Sequence, residues 1–404
     1  MVTRRHGSRW CPNAITVDEF QARGLSTNSR LASGIVTVAP LLSPDRLARL
    51  REVLEGHLAR GVAPGLVSVV SRKGETHFEV MGRSAFEGGH DLQEDSIFRI
   101  SSMTKPVTAV ATLLLIEECV LRLDESVERL LPELANRRVV RRINGPIDDT
   151  VPAVRPITVR DLLTFRMGFG AYFGPCPVND AAEPLAVSVG PPAPQQPPEP
   201  DEWMRRLSSQ PLMCQPGERW LYHTGADVLG VLIARASGVA FDRFLRERIF
   251  EPLGMKDTAF FVPPQDLGRL VTSYTTDDLT GALEIYDEPT GQWSEPPSFP
   301  LGGAGLLSTA GDFFAFAEML LRGCALTVPA LGRDHDYRSA NAGSKGRGRF
   351  LPRRFRRSGL GFLRRYFDPA PRSFRPGRSV RLGRRAGHHM AKRSFRTDDH
   401  PVAD

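Results

Sequence analysis

The chain has 404 residues, of which 41% are hydrophobic and 25% charged, a composition typical of globular proteins and not of disordered or fibrous ones. No apolar run reaches the roughly 18 residues of a membrane span, and residues 1–12 are polar and basic. We therefore expect neither a membrane partner nor a signal peptide, and a cytoplasmic location. The five cysteines are too scattered for a disulfide framework or a zinc site.

The net charge of +7 is unevenly distributed along the chain. Residues 325–404 contain 20 Lys and Arg against 6 Asp, a local charge of +14, whereas the preceding 324 residues carry −7. Such asymmetry can indicate a nucleic-acid or membrane partner. The pattern predicts three parts: a poorly ordered extension (1–42), a folded domain (43–324) and a disordered basic tail (325–404).

The predicted elements begin at Ser43, which opens a helix whose apolar residues recur at helical spacing through Leu58. Two strands then flank a Lys73-Gly74 turn. Residues 101–119 predict a helix that is apolar on most of its circumference and is therefore buried. The later elements are a capping box at Thr158 and Asp161, a proline-rich loop over 190–200, a helix over 227–237 ended by Gly238, and an amphipathic helix over 313–321.

Ser102 and Lys105 are three residues apart at the start of the predicted buried helix, so they share one of its faces. A serine hydroxyl is a weak nucleophile until a base takes its proton. A lysine can act as that base when burial lowers its pKa from its ordinary value of about 10.4. The helix N-terminus would also favour negative charge developing on Ser102. Taken alone, this tetrapeptide is more typical of an N-cap serine followed by a surface lysine.

Neither a metal nor a cofactor is expected. No group of His, Cys, Asp and Glu residues has the spacing of metal ligands. The glycines of residues 302–305 are not followed by the Lys-Ser or Lys-Thr of a phosphate-binding loop. They predict instead a close backbone approach beside a cleft.

The chain resembles members of the serine β-lactamase and penicillin-binding-protein superfamily in the segment Phe98-Arg-Ile-Ser-Ser-Met-Thr-Lys-Pro-Val-Thr-Ala109. This segment is similar to the nucleophile segment of class C β-lactamases and, more closely, to that of family VIII carboxylesterases. Further stretches agree in order and spacing over residues 43–323. They are Arg122-Leu-Asp-Glu-Ser-Val127, Ile157-Thr-Val-Arg-Asp-Leu-Leu-Thr164, Pro216-Gly-Glu-Arg-Trp-Leu-Tyr222, Ile249-Phe-Glu-Pro-Leu-Gly-Met255 and Gly302-Gly-Ala-Gly-Leu-Leu-Ser-Thr309.

The resemblance implies an α+β fold of the β-lactamase/transpeptidase type, with an antiparallel sheet flanked by helices and a mostly helical lobe. It implies a serine hydrolase that forms a covalent acyl-enzyme on a small-molecule carboxylic ester or β-lactam. Ser102 would be the nucleophile, and Lys105 and Tyr222 would handle protons. β-Lactamases have asparagine at the position of Thr224, so its absence favours esters. The family uses no histidine at the position of His223, which we expect at the surface.

The third motif of the family, Lys-Thr-Gly or Trp-x-Gly-Gly after the 313–321 helix, is absent from the sequence. That strand supplies one of two backbone donors to the oxyanion, and losing one donor typically costs about 100- to 1000-fold in rate. Read one base later, Leu382-Gly-Arg-Arg385 permits Trp-Asp-Gly-Gly. We therefore predict a reading-frame shift near residues 324–329 as the origin of the tail, in place of a genuine basic tail, and we expect impaired activity.

The alternative is a catalytically inactive homologue whose basic tail binds nucleic acid or anionic surfaces. Such binding would weaken steeply with salt. The tail contains no RNA-binding module, no regular aromatic interleaving and no amphipathic period, so we expect no specific nucleic-acid partner. The sequence does not indicate the oligomeric state.

Overall fold

The computed structural model describes residues 41–187, 190–277 and 280–323. The predicted basic tail (325–404) therefore lies outside the described residues. So does the predicted extension (1–42), except for residues 41 and 42. The chain divides into two compact units, one up to Glu94 and one from Asp95. Within the described ranges, no helix is both long and apolar enough to cross a bilayer.

The first unit consists of helix α1 (Pro44–Ala59) and an antiparallel hairpin of β1 (Gly65–Arg72) and β2 (Glu75–Gly82). The hairpin turns at Lys73 and Gly74, whose φ angles of 52° and 89° are both positive, as a two-residue type I′ turn requires. Glu79 of β2 is buried and pairs with Arg51 of α1. The predicted helix, strands and turn are therefore confirmed.

The second unit contains the remaining helices and three further antiparallel strand pairs among the residues described. Its α-helices are α2 (Thr104–Glu117), α3 (Val159–Leu163), α4 (Pro177–Ala182), α5 (Pro200–Ser209), α6 (Thr224–Ser237), α7 (Phe241–Leu245), α8 (Glu251–Leu253) and α9 (Ala310–Leu321). Its strand pairs are β3 (Phe98–Arg99) with β8 (Leu307–Ser308), β4 (Arg138–Val140) with β5 (Thr150–Pro152), and β6 (Ser273–Thr276) with β7 (Leu283–Asp287).

Helices α2 and α6 pack against each other in the core of this unit. Both have long apolar side chains on most of their circumference, and the largest part of each helix is buried, as predicted for α2. Helix α6 begins three residues before the predicted start and ends as predicted at Gly238, whose φ of 71° gives the left-handed cap. The core thus fixes the first turns of both helices next to each other.

A short strand pair places the loop of residues 302–305 beside the start of α2. Strand β3 leads into Ser101, and its partner β8 follows that loop directly. The Ile100 amide continues the ladder by donating to the Leu306 carbonyl at 3.0 Å. Residues far apart in sequence are therefore held together by one antiparallel ladder.

The predicted capping box at the start of α3 is present. The Thr158 hydroxyl accepts from the Asp161 amide at 3.2 Å, and the Asp161 carboxylate accepts from the Thr158 amide at 2.9 Å. Arg155 adds two hydrogen bonds to the same buried carboxylate, at 2.6 and 2.9 Å. Burial raises the pKa of Asp161, but these hydrogen bonds outweigh it and lower the pKa overall.

We predict that Asp161→Ala lowers the free energy of unfolding by about 2 kcal/mol, because it removes one half of the capping box and leaves the partly buried donors of Thr158 and Arg155 unpaired. Urea unfolding followed by circular dichroism measures the change. The matched control is Asp124→Ala, since Asp124 makes a comparable two-bond contact to Arg160 but is largely exposed. It should cost less than about 1 kcal/mol. Equal losses in the two variants would contradict the prediction.

Candidate active site

Ser102 lies in a single 3-10 turn (Ser101–Met103) just before α2, and its side chain is exposed. Ser101 has a φ of 44°, which turns the chain sharply out of β3. Thr104 fixes this turn, because its hydroxyl donates to the Ser101 carbonyl at 2.7 Å and accepts from the Leu306 amide at 3.1 Å. The candidate nucleophile is thus solvent-accessible on a rigid support.

Lys105 lies one turn further on and is buried, with only 7% of its surface exposed. Its Nζ lies within hydrogen-bond distance of three atoms: Ser102 Oγ at 3.0 Å, His223 Nδ1 at 3.1 Å and the Gly303 carbonyl oxygen at 2.6 Å. Desolvation lowers the pKa of Lys105, and the nearby Tyr222 and Asp227 offset part of that effect. The amine therefore loses its proton more readily than an exposed lysine does.

Tyr222 lies on the other side of the amine, with its ring centroid 4.4 Å from Lys105 Nζ. Its backbone is held by the Ala171 amide, which donates to the Tyr222 carbonyl at 2.8 Å. This contact depends on Gly170, whose φ is 154° and where a Cβ would lie 2.5 Å from the Tyr222 carbonyl oxygen. Trp220 stacks on the Tyr222 ring with 5.5 Å between centroids. The structure therefore brings the three predicted residues together.

The expectation that His223 is a surface residue is wrong. Only 12% of its side chain is exposed, and Nδ1 contacts Lys105 while Nε2 lies 3.2 Å from Asp227 Oδ2. The physical reason is a tight backbone turn, with φ 85° and ψ −74° at His223, that directs the imidazole inward. Asp227 was not among the predicted site residues. The four-residue spacing of His223 and Asp227 on one helix end was the signal that could have identified the pair.

The loop of residues 302–305 makes the close backbone approach that its glycines predict. A Cβ on Gly302 would lie 2.2 Å from the Ala226 carbonyl oxygen. The Gly303 amide donates to Asp227 Oδ1 at 2.8 Å while its carbonyl accepts from Lys105. The Thr108 hydroxyl anchors the Gly302 carbonyl at 2.7 Å. One loop therefore contacts both α2 and α6 through its backbone.

Thr224 is buried at the first position of α6, and its hydroxyl has no hydrogen-bond partner among the described residues. It is 1% exposed, so its side chain points away from solvent.

The described part of the chain contains no group of three or more His, Cys, Asp or Glu side chains that could hold a metal ion. The arrangement offers an exposed hydroxyl beside a buried amine, which is the requirement for nucleophilic catalysis by serine.

Comparisons with known proteins identify relatives of this chain. Residues 50–376 match the Beta-lactamase family. Esterase EstB of Burkholderia gladioli is 31% identical over 288 residues, which are 68% of this chain and 69% of EstB. The uncharacterized protein MT1414 of Mycobacterium tuberculosis is 35% identical over 276 residues, 68% of this chain. That match spans 65% of the relative, so the chain covers less than two thirds of its length.

Solved structures show the same fold. Simvastatin synthase (LovD) from Aspergillus terreus superposes with a TM-score of 0.57 at 23% identity, covering 70% of each chain. EstCE1, a hydrolase with promiscuous acyltransferase activity, gives a TM-score of 0.56 at 23% identity, covering 69% of this chain and 72% of its own. At these identities the likeness establishes the fold alone, and the predicted α+β β-lactamase/transpeptidase-like class is confirmed. The chain belongs to the Beta-lactamase family.

Proposed function

We propose that this protein hydrolyses carboxylic esters through an acyl-enzyme formed on Ser102. The observation that carries the proposal is the 3.0 Å contact between the exposed Ser102 hydroxyl and the buried Lys105 amine. Relatives named as esterases support it, among them EstB and the lovastatin esterase of Penicillium rubens, which is 32% identical over 57% of this chain. β-Lactams are a second substrate class, which the buried hydroxyl of Thr224 disfavours.

In the first half-reaction, Ser102 Oγ attacks the ester carbonyl carbon as Lys105 Nζ takes the hydroxyl proton. The Ser102 amide donates to the oxyanion of the tetrahedral intermediate. The intermediate collapses when the bond to the alkoxy oxygen breaks, and that oxygen leaves as the alcohol after receiving a proton relayed by Lys105 and Tyr222. In the second half-reaction, water loses a proton to the same groups and attacks the acyl carbon. The bond from that carbon to Ser102 Oγ then breaks, Oγ takes back the proton, and the carboxylic acid is released.

We predict that Ser102→Ala lowers kcat/KM for a short-chain p-nitrophenyl ester by at least about 10³-fold, because the covalent route is lost. A fluorophosphonate probe should label the wild-type protein at Ser102, as mapped by peptide mass spectrometry. Ser101→Gly is the control for labelling, since it removes the neighbouring hydroxyl and suits the positive φ at that position. An unchanged rate of hydrolysis in Ser102→Ala would contradict the proposal and favour the alternative of a catalytically inactive homologue.

Lys105→Arg tests the base. Arginine keeps the charge but does not deprotonate in proteins, so we expect a loss of at least about 10³-fold at every pH. In the wild-type protein, kcat/KM should fall on the acid side as Lys105 becomes protonated. The pH at the midpoint of that fall should be lower than the ordinary pKa of lysine, since burial lowers the pKa of Lys105. The matched control is Lys256→Arg, an exposed lysine away from the site, which should leave the pH profile unchanged.

We further propose that the chain is a weak catalyst because its sequence lacks the third motif of the family after residue 321. Sequencing the gene across the codons from Arg322 to Arg396 should show one base gained or lost. The chain in the restored frame should then hydrolyse short-chain esters at least about 100-fold faster, as expected for a recovered oxyanion donor. An intact reading frame would contradict this explanation of the basic tail.

A further inference from the structure

A continuous series of hydrogen-bond contacts runs from Ser102 through Lys105 and His223 to Asp227. The contacts measure 3.0 Å from Ser102 Oγ to Lys105 Nζ, 3.1 Å from Nζ to His223 Nδ1, and 3.2 Å from His223 Nε2 to Asp227 Oδ2. All but Ser102 are shielded from solvent, with 12% of the His223 and 5% of the Asp227 side chain exposed. The proposed chemistry uses Ser102, Lys105 and Tyr222, and it assigns no step to His223 or Asp227.

Asp227 determines which nitrogen of His223 carries the proton. A carboxylate only accepts hydrogen bonds, so the imidazole nitrogen that faces it, Nε2, carries the hydrogen. In the neutral imidazole the other nitrogen, Nδ1, is then an acceptor and faces Lys105 with its lone pair. The tautomer that the contacts favour is therefore the one protonated on Nε2.

This tautomer in turn orients the amine of Lys105. A neutral amine has two N–H donors and one lone pair. The Gly303 carbonyl oxygen and His223 Nδ1 are both acceptors, so each takes one N–H of Lys105. The remaining position of the nitrogen, its lone pair, faces the Ser102 hydroxyl, which is the orientation that a base needs in order to take the serine proton.

We infer that His223, oriented by Asp227, is a positioning residue that turns the Lys105 lone pair toward Ser102. The inference rests on the proposed function, because it assigns a role within serine activation by Lys105. In the proposed mechanism His223 takes no proton and does not touch the substrate. It acts through the amine of Lys105 alone.

The backbone at His223 supports the inference independently. The Thr224 amide donates to the Tyr222 carbonyl at 3.3 Å across His223, and the φ of 85° and ψ of −74° are those of a γ-turn that is rare and strained. A glycine would adopt this conformation with less strain. The strained histidine is explained by its side chain, which the turn directs between Lys105 and Asp227.

Gly303 completes the arrangement from the opposite side. Its amide donates to Asp227 Oδ1 at 2.8 Å, which leaves Oδ2 for His223, and its carbonyl accepts from Lys105. A Cβ at this position would lie 2.7 Å from Asp227 Oδ1 and 2.9 Å from His223 Nε2. The same glycine therefore contacts two members of the series, Lys105 and Asp227.

Asp227→Asn is the direct test, because the Gly303 amide determines how the new side-chain amide is oriented. The oxygen of the substituted side chain would stay on the Gly303 amide, and its NH₂ group would face His223 Nε2. Nε2 must then accept, so the proton moves to Nδ1, where it meets an N–H of Lys105. The amine must therefore turn its lone pair away from Ser102 and toward Nδ1. We expect kcat for a p-nitrophenyl ester to fall by about 10²- to 10³-fold with KM changed less than about threefold, as for a wrong histidine tautomer beside a catalytic serine.

The pH profile separates this role from a purely structural one. The titratable groups that face Lys105 are Tyr222, His223 and Asp227. The Asp227 charge raises the pKa of Lys105, so its removal should shift the acid side of the kcat/KM profile to lower pH while the plateau falls. Asp124→Asn, which changes an exposed aspartate paired with Arg160, is the control and should change neither.

His223→Asn provides a second, independent variant. Its Oδ1 can offer Lys105 an acceptor in place of Nδ1 without help from Asp227, and asparagine tolerates positive φ better than most residues. We expect the kcat of His223→Asn to be at least about ten times that of His223→Ala. Adding Asp227→Asn to the His223→Asn variant should lower kcat by less than about threefold. Fully additive effects in this double-mutant cycle, or a wild-type kcat in folded Asp227→Asn, would overturn the inference.

Fluorophosphonate labelling and thermal unfolding are measured on every variant. Labelling of the wild-type protein at Ser102, together with an unaffected Asp227→Asn, refutes the positioning role alone. A wild-type protein that is not labelled at Ser102 refutes the proposed function itself. If Asp227→Asn does not fold, the comparison of His223→Asn with His223→Ala decides the question, and equal kcat values for these two overturn the inference.

Discussion

The burial of a single amino group, that of Lys105, is the constraint on which the rest of the site depends. Only 7% of the surface of Lys105 is exposed, and burying its amine is costly unless hydrogen bonds compensate it. The partners of the amine come from three separate segments. Helix α2 contributes Ser102 from the turn before it, the start of α6 contributes His223, and the loop of residues 302–305 contributes the Gly303 carbonyl. Because loss of any partner leaves a buried polar group unpaired, the positions of the three segments depend on one another.

The same constraint explains where the backbone is strained. Ser101 and His223 both have positive φ angles, 44° and 85°, and each lies just before a buried helix whose first residues belong to the site. Conformations of this kind cost about 1–3 kcal/mol each and persist only where the surroundings impose them. Here the apolar packing of α2 against α6 holds the helix starts in place, and the hydrogen bonds of Thr104 and Thr224 close the two turns. The packing of the core thereby compensates for the backbone strain at Ser101 and His223. These two strained turns determine the positions of Ser102 and of the His223 imidazole.

Most of the local structure could be predicted from the sequence, because it depends on neighbouring residues. The Lys73-Gly74 turn, the capping box of Thr158 and the end of α6 at Gly238 each follow from short patterns. The grouping of Ser102, Lys105 and Tyr222 came from resemblance to a family, since no short pattern places a tyrosine beside a lysine 117 residues away. His223 could not be placed this way. Its burial depends on a γ-turn that histidine disfavours and on a lysine from another helix, so a polar residue between Tyr222 and Thr224 looked like a surface one.

The buried series of contacts also bears on which acyl compounds suit the site. Position 224, where β-lactamases have an asparagine that contacts the substrate amide, here holds a threonine that is 1% exposed and has no hydrogen-bond partner in the described part of the chain. Because this hydroxyl is buried, we expect Thr224 to take no part in recognising a substrate amide. The polar groups that begin α6 are committed inward instead, with His223 and Asp227 directed at Lys105 and Gly303. Under the proposed mechanism, the beginning of α6 would therefore serve the activation of Ser102 more than the recognition of a particular acyl side chain. Such a site suits simple esters, in which the reacting carbonyl is the group that must be aligned with Ser102.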